Sequence, residues 1–86
     1  MNWQMARYHF RLVDEYDVLR KLLTVELDNY EDVFERAELL AHLLLSFEDD
    51  WYSKESETRQ ILVTDDNGKD VLVVRMSDIR REILDH

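Results

Sequence analysis

The sequence has no cysteine, no proline and only one glycine among its 86 residues. Without cysteine it can form neither disulfides nor thiolate metal sites, so its stability must come from packing or self-association. A single glycine excludes a glycine-rich phosphate-binding loop. Because breakers are so scarce, most element boundaries have to be inferred from hydrophobic periodicity.

Long apolar runs are missing as well. Residues 43–45 form a run of three and residues 71–74 a run of four, the longest in the chain, whereas a membrane-spanning helix needs about 20 apolar residues. The opening Met1-Asn2-Trp3-Gln4-Met5 has no basic region of the kind that begins a secretory signal. We therefore expect no membrane association and a cytoplasmic location.

Positive charge is in short supply, since 11 Lys and Arg residues face 20 Asp and Glu residues, for a net charge of −9. This charge repels nucleic acid and anionic lipid, and it favours a basic protein partner. Solubility alone is the simpler explanation. A hydrophobic fraction of 45% is that of a folded protein, so residues 1–86 are predicted to form one small acidic domain.

The clearest local pattern is a β-hairpin. Two apolar, β-branched runs, 59–64 and 71–76, flank Asp65-Asp66-Asn67-Gly68-Lys69-Asp70. A two-residue turn at Asn67-Gly68 would place Asp65 opposite Asp70, and these like charges repel. A three-residue loop with Gly68 in a left-handed bulge would place Asp65 opposite Lys69. The charges favour the bulged form.

A long helix is predicted from Asn29, a good N-cap, to Tyr52. Acidic residues fill its first turn, which suits the positive end of the helix dipole. Apolar residues then recur at steps of three and four and are predicted to face a sheet: Tyr30, Val33, Phe34, Ala37, Leu40, Ala41, Leu44, Phe47 and Trp51. A short last helix is predicted to start near Met76, with Ser77 as a possible cap.

The N-terminal region has one clear strand and one ambiguous segment. Residues 7–13 alternate polar and apolar side chains, which predicts a half-buried strand with Tyr8, Phe10 and Leu12 on one side. Residues 18–27 fit two structures. Leu19, Leu22, Leu23 and Leu27 have helical spacing, while Leu23, Val25 and Leu27 alternate as in a strand, and periodicity alone leaves both open.

The run Arg7-Tyr8-His9-Phe10-Arg11-Leu12-Val13-Asp14 resembles the Arg-Tyr-Phe-Phe first strand of an uncharacterised family of short bacterial proteins. Further parallels follow in order: Glu26-Leu27, Asn29 at the cap, the helix from Glu31 to Ala41, and Asp65-Asp66-Asn67-Gly68 in the turn. The chain departs from the family at Lys21-Leu22-Leu23-Thr24, where the family has an acidic turn ending in glycine.

This resemblance implies a β-β-α-β-β order and so favours a strand over residues 18–27. The layout is also similar to that of HicB-type antitoxin domains, which implies a regulatory binding role. The resemblance to the first, uncharacterised family implies no particular activity. Layout alone is an associational argument for function.

The three histidines, His9, His42 and His86, lack the spacing of a metal site. The sequence Asp65-Asp66-Asn67-Gly68 is not a calcium loop, because Val63 and Val74 would occupy ligand positions. The paired carboxylates and the serines lack the context of a catalytic site. We therefore predict no metal, no cofactor and no enzymatic activity. Arg7, Arg11, Arg59 and Arg75 alternate along strands and could share one sheet face.

Two surfaces are candidates for protein binding. Aromatic and acidic residues at the predicted helix end could contact a partner: Trp51, Tyr52, Glu48, Asp49 and Asp50. The hairpin carries apolar residues on both faces, and one helix can cover only one face of a sheet. Leu62, Val71 and Val73 are therefore the candidate dimer face, used through the open sheet face or an edge strand.

Together these inferences predict an α+β fold: a four-stranded, mainly antiparallel sheet with one long helix on one face and a short C-terminal helix. The predicted function is a non-enzymatic protein-binding or regulatory module that forms a homodimer, has an acidic surface for a basic partner, and resembles an antitoxin. The alternative is a ligand-binding or enzymatic domain whose site, holding Tyr8, His9 or Trp51, forms at a dimer interface.

Overall fold

A computed structural model describes residues 6–14, 17–47 and 58–84. Its strands are β1 (Ala6–Asp14), β2 (Asp17–Leu27), β3 (Arg59–Asp65) and β4 (Asp70–Arg75), and its helices are α1 (Tyr30–Phe47) and α2 (Met76–Leu84). All strand pairs are antiparallel, in the order β2-β1-β3-β4. The predicted α+β class, the β-β-α-β-β order and the short C-terminal helix are confirmed.

The sheet has an inner face against the helices and an outer face away from them. In β1 the buried Phe10 and Leu12 point inward, and their partners in β3, Val63 and Ile61, are buried with them. Residues directly opposite one another on paired strands share a face. The residues between these inward-pointing ones in β1 and β3, such as His9 and Leu62, therefore point to the outer face.

Both helices pack on the inner face. Their buried side chains join those of the sheet in one core: Phe10, Val33, Ala37, Ala41, Leu45, Ile61, Val63, Val74, Met76 and Ile79. In α2 the residues Met76 and Ile79 supply this contact. The helix begins at Met76, directly after β4, so Ser77 lies in its first turn rather than before it.

Residues 18–27 belong to a strand, so the helical alternative for this segment is wrong. The helical spacing of its leucines has a structural cause. The β1–β2 register shifts twice, between Phe10 and Arg11 and between Leu12 and Val13, which makes positions 22 and 19 the extra residues of β2. Each extra residue in a strand interrupts the two-residue alternation. Two of them in close succession give a leucine pattern that imitates a helix.

The N-terminus of α1 is capped as predicted. The side-chain Oδ1 of Asn29 accepts a hydrogen bond from the backbone N–H of Asp32 at 2.9 Å, and Asn29 Nδ2 donates to Asp28 Oδ1 at 3.1 Å. This satisfies one of the free N–H groups that every helix start exposes. The described part of this helix runs from Tyr30 to Phe47, and its predicted end at Tyr52 lies outside the described residues.

The apolar stripe of α1 differs in part from the predicted one. The buried line is Val33, Ala37, Ala41 and Leu45, whereas Tyr30 and Phe34 are 55% and 41% exposed. Residues four apart in a helix are rotated by about 40° around its axis. The four buried residues are each four positions apart, so the buried side of the helix turns slowly around its axis. In the first turns this buried side lies beside Tyr30 and Phe34 rather than under them. Their predicted burial is wrong for this reason.

The hairpin between β3 and β4 has the bulged register. The backbone N–H of Asp65 donates to the Lys69 carbonyl, and that of Gly68 donates to the Asp65 carbonyl, both at 3.0 Å. Gly68 has φ of +80°, the left-handed conformation that glycine adopts without strain. The Asp65 carboxylate Oδ1 also accepts hydrogen bonds from the N–H groups of Asn67 and Lys69. This carboxylate therefore organises the turn.

Candidate functional site

The outer sheet face carries a polar network centred on His9. Its Nδ1 lies 3.1 Å from Thr24 Oγ1 on β2, and its Nε2 lies 2.8 Å from Asp66 Oδ1 in the β3–β4 turn. A carboxylate only accepts hydrogen bonds, so Nε2 donates to Asp66. In the neutral imidazole Nδ1 is then an acceptor, and the Thr24 hydroxyl donates to it. The His9 side chain thus links β1 to β2 and to the β3–β4 turn.

Polar contacts continue along both sides of this network. The guanidinium of Arg11 donates to Thr64 Oγ1 at 3.3 Å, and Thr64 is only 3% exposed although it lies on the outer face. At the other end, Arg7 forms an ion pair with Glu26 of β2, at 3.8 Å between Nη2 and Oε1. The outer face is therefore partly covered by its own long side chains.

The predicted clustering of arginines on one face holds for three of the four residues. Arg7 and Arg11 lie on the outer face of β1, and Arg75 joins them because it pairs with Gln60. Arg59 is opposite Asp14 in the register and belongs to the alternate face. Since Arg7 pairs with Glu26 and Arg11 bonds to Thr64, two of these cations are already engaged within the fold.

The two described residues considered for an enzymatic site, Tyr8 and His9, are not brought together. Tyr8 is partly buried against the core, while its neighbour His9 faces outward. Adjacent residues of a strand point to opposite faces, so these two side chains do not line one pocket. Trp51 lies outside the described residues. Within the described part of the chain, no group of three or more His, Asp or Glu residues could hold a metal ion.

The candidate dimer residues fall in two environments. Leu62 and Val73 are directly opposite each other on β3 and β4, on the outer face, and Val73 is 46% exposed. Val71 is partly buried and packs against the core. Leu62 and Val73 therefore form an apolar pair on the side of the sheet away from the helices.

A second surface lies where β2 ends and α1 begins. A pocket of about 430 Å³ is lined by Leu27, Asp32, Glu35, Arg36 and Leu39. Leu39 and Leu43, one helical turn apart, are 53% and 43% exposed. The surface thus combines aliphatic side chains with carboxylates. We call it the α1 acidic surface.

The carboxylates of the α1 acidic surface repel one another. The pKa of Asp32 is raised above its ordinary value of 3.8, first by a hydrogen bond to the Asp28 side chain, then by desolvation, and then by the charges of Asp28, Glu35 and Glu31. Like charges held close together disfavour the ionised form. A cation placed here would relieve this repulsion.

The residues that the sequence suggested for partner binding are not among those described. The proposed residues Trp51, Tyr52, Glu48, Asp49 and Asp50 lie outside the described residues, as does His86. The acidic first turn and the additional leucines of α1 were visible in the sequence, but their placement beside Leu27 depends on the path of β2. Likewise, Asp66 and Thr24 become partners of His9 only once the strand order is known.

None of the described helices is long and apolar enough to cross a membrane. Comparison of the chain with known proteins finds no matching family model, no matching curated protein and no matching solved structure.

Proposed function

We propose that this protein is a non-enzymatic, cytoplasmic protein-binding module that recognises a basic protein partner through the α1 acidic surface and works as a homodimer. An antitoxin-like regulatory role is the form of this function that the layout of the chain favours. The observation that carries the proposal is the pocket in which Leu27 and Leu39 lie beside the carboxylates of Asp32 and Glu35.

The pocket combines two leucines with two carboxylates and one guanidinium, that of Arg36, and this mixture of apolar and mainly acidic groups suits a protein partner better than a small metabolite. Leu39 and Leu43 are spaced one turn apart, so a partner could contact them along one line of α1 while its Lys or Arg side chains reach the carboxylates. The apolar contact would supply affinity, and the charges would steer association and select basic partners.

The raised pKa of Asp32 supports the same assignment. After the hydrogen bond to Asp28 and desolvation, the charges of Asp28, Glu35 and Glu31 contribute to this raised pKa, so they repel the ionised Asp32 in the isolated protein. A cationic partner relieves this repulsion on binding, so part of the electrostatic gain arises within the module. Binding should then weaken as salt screens the charges.

The test begins with capture of a partner by the immobilised full chain, followed by titration of the purified partner at about 50 mM and about 300 mM NaCl. The variant Asp32→Asn/Glu35→Gln should raise the Kd about tenfold at low salt. The control Asp78→Asn/Glu82→Gln makes the same charge change at two exposed positions of α2 and should leave the Kd nearly unchanged.

Two outcomes would reject the proposal. One is an affinity that does not change with salt. The other is equal loss of affinity in the α1 and α2 variants, because net charge rather than this surface would then explain binding. Leu39→Ala separates the apolar contribution, and it should weaken binding at both salt concentrations.

A further inference from the structure

The two edges of the sheet are built differently. The β2 edge carries Arg20 and Lys21 and has two register shifts against β1, features that discourage pairing with another strand. The β4 edge has four consecutive apolar residues, 71–74, and pairs regularly with β3 from Gln60 to Val63, with a single register shift beyond Val63. Among the described residues, no strand pairs with the outer side of β4. This edge can accept another strand.

The side chains of β4 suit a partner strand on both faces. Val74 is buried and Leu72 packs against the core on the inner face, while Val73 is 46% exposed on the outer face beside Leu62. A strand added next to β4 would cover Val73 and extend the Leu62–Val73 pair into a longer apolar row. Cross-strand contacts of this kind are a main source of sheet stability.

The charges at the two ends of β4 indicate which strand fits. Asp70 and Arg75 are both exposed and both belong to the outer face, since they pair with Thr64 and Gln60. The ion pairs within the described residues involve neither of them. When two copies of β4 run antiparallel, Asp70 of each copy comes near Arg75 of the other. The strand is thus complementary in charge to itself.

We propose that the protein dimerises by antiparallel pairing of β4 with β4 of a second copy, with the two-fold axis passing through Val73. In this register Val73 faces its own equivalent on the outer face, and Leu72 faces Val74 of the second copy on the inner face. The three central positions are thus matched by face, as a continuous sheet requires, and Arg75 lies opposite Val71, the residue next to Asp70 at which β4 shifts its register against β3. The two sheets then join into one, with all helices on the same side.

This inference gives a specific interface to the homodimer of the proposed function and rests on it. The α1 acidic surface starts at the other side of the sheet, beside the end of β2, and the β4 interface leaves it free for a partner. The two parts of the proposal can therefore fail separately.

The first experiment uses the absence of native cysteine. In an antiparallel pair, opposed Cα atoms are about 4.5–5.5 Å apart, which is within reach of a disulfide. The full chain with Val73→Cys should form a disulfide-linked dimer under mild oxidation. The control Val18→Cys places a cysteine at an exposed position on the β2 edge, and this variant should remain mostly free of disulfide-linked dimer. Equal coupling of both variants would overturn the proposed interface.

The second experiment measures mass in solution by light scattering and sedimentation. Wild type should be a dimer at high micromolar concentration, and Arg75→Asp should raise its dissociation constant about tenfold because two symmetric ion pairs are replaced by repulsion. The double variant Asp70→Arg/Arg75→Asp should restore dimerisation. Circular dichroism of each variant checks that it is folded.

A wild-type protein that stays monomeric in this range would overturn the β4 dimer and leave recognition by the α1 acidic surface to be judged by its own titration. Failure of the double variant to recover would reject the proposed register. The variant Asp32→Asn/Glu35→Gln should remain dimeric, and its dissociation into monomers would show that the interface involves α1.

Discussion

The imidazole Nε2 of His9 lies 2.8 Å from the carboxylate Oδ1 of Asp66, although 57 positions separate the two residues in the sequence. This contact joins the central strand to the β3–β4 turn across the outer face. Side chains of His9 and Asp66 are 26% and 56% exposed. The contact is therefore partly shielded from water, and its contribution to stability can be measured.

We expect His9→Ala and Asp66→Ala each to lower the free energy of unfolding, and the two effects to be non-additive. A partly exposed pair of this kind contributes about 0.5–1 kcal/mol. A double-mutant cycle by urea denaturation should give a coupling free energy of that size. Thr24→Val removes the hydrogen bond to the other ring nitrogen of His9, Nδ1, and its effect on the free energy of unfolding serves as the comparison. Strict additivity would mean that the contact contributes nothing.

Gly68→Ala should destabilise the protein by about 1–2 kcal/mol, the cost of placing an L-residue in the left-handed region. A Cβ at this position would meet no atom within 4 Å, so the cost is conformational rather than steric. Gly68→Asn should cost less, because asparagine tolerates this conformation. Thermal denaturation of the two variants distinguishes them. Equal losses would point to a clash instead.

Ala41→Leu should cost about 1–3 kcal/mol of stability. Ala41 is fully buried in the line of α1 that meets the sheet, and a larger side chain there has to push the helix away. Leu43→Ala alters a 43% exposed residue two positions further on and should change stability by less than about 0.5 kcal/mol. Chemical denaturation measures both. If Ala41→Leu left stability unchanged, that result would contradict the close approach of α1 to the sheet.

Asp32→Asn should raise stability at neutral pH. The pKa of Asp32 is higher in the folded protein than its ordinary value of 3.8, so the folded state binds the proton more tightly than the unfolded state does. The ionised side chain therefore destabilises the fold above that pKa, and its contribution improves as the pH falls through it. Asparagine removes the charge and can still donate to Asp28.

The difference in melting temperature between Asp32→Asn and wild type should narrow as the pH falls through the folded pKa and further below 3.8. It should also narrow in high salt, which screens the repulsion from Asp28, Glu31 and Glu35. If the gain in melting temperature does not change with pH, its cause is helix propensity rather than removal of the charge.

Local patterns predicted most of the fold because the physics behind them is local. The cap at Asn29, the left-handed Gly68 and the alternation around Phe10 each depend on a few neighbouring residues. The strand over residues 18–27 was favoured only by resemblance. Its two extra residues disturb the very periodicity that identifies strands, so the sequence pattern alone could not decide.

The sites were harder to predict because they depend on packing between distant elements. The exposure of Phe34 follows from the oblique path of α1 over the sheet. The neighbours of His9 come from β2 and from the β3–β4 turn, and no short stretch of sequence contains all three residues. The pocket between Leu27 and Leu39 likewise requires the end of β2 to lie beside α1.

The central position of β1 has a consequence for synthesis on the ribosome. This strand emerges before the other three described strands, yet one of its neighbours, β3, lies beyond α1 in the chain. Until β3 has been translated and released from the exit tunnel, one side of β1 keeps its backbone groups without strand partners. Until then the nascent chain carries an open, aggregation-prone edge, and the sheet closes only after β3 has left the tunnel.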